Sequence, residues 1–169
     1  MKRGAMALFL CFFGMTIFAQ GVDMSYYTNE YTRADGTFID RYEVLKTVQA
    51  ANLTGIGEFY DTALKLLLLK TPDVKTKEDR DANDASARII CQGLGAEKYN
   101  QSAADLYQAV QIFDVAFDYN QGFVMQDALT ALGQVGGKDF VSHIAQRLAD
   151  INTRSVSDVE SKRRIQRAV

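Results

Sequence analysis

Residues 124–148 read VMQDALTALGQVGGKDFVSHIAQRL, and their periodicity decides the fold class. Val124, Ala128, Ala131, Leu132 and Val135 fall at the i, i+4, i+7, i+8, i+11 spacing of one helix face. Gly133, Gly136 and Gly137 then break the run, because glycine takes left-handed backbone angles at little cost. A second helix follows, with Phe140, Ile144 and Leu148 on its inner face. The stretch predicts two amphipathic helices joined at a glycine turn.

The same pattern occurs twice upstream. Gly55 and Phe59, Gly95 and Tyr99, and Gly136 and Phe140 each place an aromatic four positions after a glycine, and the glycines are 40 and 41 residues apart. Eight positions before each glycine stand the small residues Thr47, Ala87 and Ala128. Four before it stand Ala51, Cys91 and Leu132, and eight after each aromatic stand Leu67, Tyr107 and Leu148. In the first copy, Asp40-x-x-Glu43 forms a candidate capping box before Val44, Leu45 and Val48. Its leucine-rich second helix stops before Pro72, and the polar stretch 71–81 reads as a connector. Ser157-x-x-Glu160 opens a last helix over 157–169. A further glycine in the register would fall beyond Val169, so the array is expected to stop inside the first helix of a fourth copy.

A two-helix unit of this length, with small residues in its first helix, resembles a HEAT repeat. The segment Asp127–Gly137 (DALTALGQVGG) is similar to the bacterial HEAT-like repeat named after phycobilisome lyases. The resemblance spans residues 40–151; the helix pairs lack the family's usual proline and carry the insert at 71–81. It implies an α-solenoid scaffold that binds proteins along the concave face of its second helices. The expected architecture is all-α: a short α-solenoid of three HEAT-like hairpins (40–156) and a terminal helix (157–169). An irregular or hairpin lead-in (20–39, with an Asp35-Gly36 turn signal) precedes it, after a signal peptide.

The signal peptide is read from residues 1–19. Lys2 and Arg3 precede an apolar run from Ala5 to Phe18, and Ala19 offers a small residue for cleavage. The run is shorter than the roughly 20 residues a membrane span needs, so no transmembrane segment is expected after cleavage near Ala19, and the location is periplasmic or secreted. Leu10-Cys11 does not make a lipoprotein site, because a bulky leucine stands where a small residue is required. Cleavage removes Lys2 and Arg3, leaving 17 of the 19 basic residues against 21 acidic ones and Cys91 as the remaining cysteine. No internal disulfide could then form. The whole-chain charge of −2 gives no electrostatic case for nucleic acid.

One histidine and two cysteines leave little material for a metal cage or a Cys–His dyad. No cofactor, metal or catalytic residue is expected, and the protein reads as a non-enzyme. His143 reads as a structural or surface histidine and Cys91 as a core residue. Glu78, Asp79, Asp81 and Asp84 lack the glycine turn of a calcium loop and read as solvated helix-start charge. Gly133, Gly136 and Gly137 lack the strand and the Lys-Ser/Thr ending of a P-loop.

The candidate binding residues lie two and six positions after each repeat aromatic: Asp61 and Lys65, Gln101 and Asp105, Ser142 and Gln146. On second helices they would form a polar ridge on a concave face. Lys162, Arg163, Arg164 and Arg167 form a basic cluster suited to an acidic partner. The expected function is a scaffold or assembly module in the bacterial cell envelope that binds protein partners and can self-associate. The alternative is a small-ligand or enzyme-accessory protein with a pocket among Tyr99, Tyr107, Phe113, Phe117 and Tyr119.

Overall fold

The computed structural model describes residues 24–113, 119–136 and 138–153, together with Val159 and Arg163. The expected signal peptide, and Lys162, Arg164 and Arg167 of the expected terminal helix, lie outside these residues. Among the described residues the chain is all-helical, with seven α-helices and no strands. These are α1 (Met24–Thr32), α2 (Phe38–Ala50), α3 (Gly57–Lys70), α4 (Lys77–Glu97), α5 (Ala103–Ile112), α6 (Tyr119–Gln134) and α7 (Val141–Thr153). No helix among them is long and apolar enough to cross a membrane.

Local chemistry sets the boundaries. Thr37 caps α2: its hydroxyl accepts from the Asp40 amide at 3.1 Å, and the Thr37 amide donates back to the Asp40 carboxylate at 2.9 Å. The capping box is thus Thr37-x-x-Asp40, three residues earlier than Asp40-x-x-Glu43. Thr76 caps α4 in the same way, accepting from the Asp79 amide at 3.0 Å, with Glu78 and Asp79 in the positive first turn. The connector therefore ends at Thr76, and much of the expected 71–81 insert is helix. α3 gives way at Pro72 to a 3-10 turn over Thr71–Asp73, where the sequence placed its end.

Two of the three repeat glycines behave as expected. Gly55 and Gly136 carry φ of 74° and 86°, angles that favour glycine. Gly95 does not: it lies inside α4, and Lys98 takes the left-handed cap with φ of 50°. A Cβ at Gly95 would overlap the Gln134 side chain and come within 3.1 Å of the Ala131 backbone, so this glycine lets α4 and α6 approach.

The lead-in is also helical. α1 has little amphipathic periodicity, and tertiary contacts hold it. The buried Arg41 donates from Nε to the Tyr31 carbonyl at 3.1 Å and from Nη2 to the Arg33 carbonyl at 3.2 Å, capping the α1 C-terminus. Tyr31, also buried, donates its hydroxyl to the Ala63 carbonyl at 3.3 Å.

The helices lie in two rows. α2 packs on α4 and α4 on α6; α1 packs on α3 and α3 on α5. Across the rows, α1 packs on α2, α3 on α4 and α5 on α6. The expected partners α2 and α3, and α4 and α5, share much less contact. Pairing is thus offset by one helix, so that α1 completes the first pair. Glycine–tyrosine contacts account for the tight α3–α4 seam: the Tyr60 ring lies against Gly93, and the Tyr99 ring against Gly57. Leu45, Leu64, Ile90, Leu94, Leu106, Met125 and Leu132 fill the space between the rows.

Candidate functional site

Helices α3, α5 and α7 carry five of the six residues that the repeat register singled out; Gln101 lies in the 3-10 turn Asn100–Ser102 before α5. Asp61 and Lys65 stand one turn apart on α3, and Lys65 Nζ donates to Asp61 Oδ2 at 2.6 Å. The same ammonium lies 4.0 Å from Asp105 Oδ2 on α5. Three of the predicted residues, from two copies, therefore meet. Asp61 is buried rather than presented on a ridge: it is 6% exposed, and its Oδ1 faces no hydrogen-bond donor among the described residues. Lys65 spans the two carboxylates from the surface, and its hydrogen bond to Asp61 raises its pKa. Desolvation pushes the Asp105 carboxyl above the ordinary aspartate range; Lys65 opposes the shift and the Asp61 charge adds to it. The cluster reads as a polar clasp between α3 and α5. Gln101 stands at its edge and accepts from the Tyr99 hydroxyl at 3.1 Å.

A separate groove lies between α5 and α7, with a volume of about 280 Å³. Its lining includes Tyr107, Gln111, His143, Gln146, Arg147 and Asp150. Tyr107 stacks on Phe140 at 4.9 Å with 26° between planes, and the His143 ring lies 5.5 Å away. His143 is therefore an exposed groove residue. Gln146 Nε2 reaches Asp150 Oδ1 at 3.5 Å, the long limit of a hydrogen bond. Ser142 is exposed on α7 outside the groove lining. Of the basic cluster, Arg163 is described, and it is exposed.

Of the five aromatics weighed as a ligand pocket, the three whose side chains are described do not share one cavity. Phe113 is buried in the core, Tyr99 packs on Gly57, and Tyr107 lines the α5–α7 groove. Phe117 and the side chain of Tyr119 lie outside the described residues. Cys91 is fully buried on α4, and burial pushes its thiol pKa up, away from reactivity. Sequence reasoning missed Gln111, Arg147 and Asp150, which sit outside the repeat registers. Their signal was the polar i, i+4 spacing of Gln146 and Asp150 and of Tyr107 and Gln111.

No family model matches the chain, and neither a curated protein nor a solved structure shows significant similarity to it.

Proposed function

We propose that this protein is a non-catalytic α-solenoid of HEAT-like helical pairs that binds a polypeptide partner in the bacterial cell envelope. Cleavage of residues 1–19 would deliver it to the periplasm or the cell exterior. In an oxidising compartment Cys91 would be the cysteine left, and its burial suits that setting.

The α5–α7 groove carries the reading. Its volume of about 280 Å³ lies just below the roughly 300–1,000 Å³ typical of small-molecule pockets. It suits one or two side chains of a peptide segment. The Tyr107 ring, stacked on Phe140, forms an aromatic wall of the groove, and Gln111, Gln146, Arg147 and Asp150 bring polar groups around it. Such aromatic-plus-polar lining is the composition of protein-binding surfaces.

Gln111 and Gln146 are exposed, so Gln111→Arg/Gln146→Arg alters the groove and spares the core. Pull-down from an envelope extract should lose the same discrete partner with this variant and keep it with Arg163→Glu/Arg164→Glu. An unchanged set of captured proteins with the groove variant contradicts the assignment.

A further inference from the structure

The other end of the two rows carries a second groove, between α1 and α2, of about 280 Å³. Tyr26 and Tyr27 form one wall, with ring centroids 5.4 Å apart at 76°, and Tyr26 is 64% exposed. Glu30, Asp40 and Glu43 line the groove beside them. Arg33 also lines it, and Asp35, paired with Arg33, brings the carboxylates to four against the cations Arg33 and Lys46. Arg33 pairs with Glu30 at 3.2 Å and Asp35 at 2.7 Å, and Lys46 pairs with Glu43 at 2.9 Å. Arg41 is turned inward onto the α1 carbonyls. The surface balance is acidic, beside two aromatic rings, and that combination attracts guanidinium and ammonium groups.

We infer that this groove receives the basic segment Lys162–Arg167 of a second copy of the chain, joining copies head to tail. The segment reads KRRIQR, the densest run of positive charge after Arg3, and Arg163 is exposed. α1 and α2 stand at one end of the rows, and the segment follows α7 at the other. Neighbouring helices are about 8–10 Å apart, so the two ends are separated by about three such steps. A groove at one end and its ligand at the other form a heterologous contact, which can repeat from copy to copy. Guanidinium–carboxylate pairing sets its strength, so it should weaken with salt.

The test is sedimentation of the purified protein across a concentration series. Glu43→Lys reverses an exposed groove charge, and Arg163→Glu/Arg164→Glu reverses the segment. Each alone should weaken self-association about tenfold or more at low salt. Mixed, the first variant supplies an intact segment and the second an intact groove, so the mixture should form a 1:1 pair and nothing larger. A wild type that stays monomeric at every concentration overturns the inference. So does a mixture that stays monomeric, or self-association that both variants leave intact. The site is distinct from the α5–α7 groove, so failure here leaves the polypeptide-binding proposal standing.

Discussion

Replacing Arg41 by alanine should detach α1 from the rest of the fold. Arg41 makes two charge-assisted bonds, to the Tyr31 carbonyl at 3.1 Å and the Arg33 carbonyl at 3.2 Å. Bonds to a charged partner contribute about 1.5–3 kcal/mol each. Arg33 is exposed, so its carbonyl can turn to water once the guanidinium is gone. Tyr31 is 1% exposed, and its carbonyl loses a partner that water replaces poorly. The arginine stem also covers apolar surface. The expected loss is therefore about 2–4 kcal/mol, below the sum of the two bonds. Because α1 packs on α2 and α3 alone among its principal contacts, the loss should be local. Native-state amide exchange should show residues 24–32 losing protection, with α4 and α6 unchanged. Arg41→Lys retains the charge and one bond, and should fall about midway. A change below about 0.5 kcal/mol with α1 still protected would refute the capping argument.

Three other outcomes follow from the packing and the charges. Gly93→Ala should destabilise by about 1 kcal/mol, since overlap with the buried Tyr60 ring outweighs the helix-propensity gain; Gly133→Ala, with open space at its Cβ, should stabilise by about 0.5–1 kcal/mol, and urea titrations compare the two. Asp105 has a raised folded pKa, so the folded state holds its proton more tightly and stability falls as pH rises from the ordinary value of 3.8 through that raised pKa; Asp105→Asn should remove this decline from a pH series of melting temperatures. Cys91 should react with a thiol reagent only after denaturant is added, because it is fully buried and its thiol pKa is raised; rapid labelling of the folded protein would place it at the surface.

The glycine register located the turns at Gly55 and Gly136, and the leucines before Pro72 located the end of α3. Gly95 matched the same register and serves a different purpose. A glycine that turns the chain and a glycine that admits a neighbouring helix look alike until the neighbour, here Ala131 and Gln134, is known. α1 was hidden for a related reason. MSYYTNEYT has weak helical periodicity, and its helix depends on Arg41 and Ala63 from later elements. The polar opening of α4 read as connector because its cap and acidic first turn precede the apolar stripe. The pairing offset was illegible for a deeper reason: a repeat period fixes spacing, not which of two chain neighbours a helix prefers. The register placed Asp61, Lys65 and Asp105 on second helices, whereas their joining in one ion cluster and the burial of Asp61 were not legible.

The central functional claim is that the α5–α7 groove holds a polypeptide. A photo-crosslinking side chain placed at Gln146, with a control at the exposed Thr130 on α6, tests it in living cells. The account predicts a discrete protein adduct from position 146 that is absent from position 130. Equal adducts from both positions, or none from position 146, would contradict it.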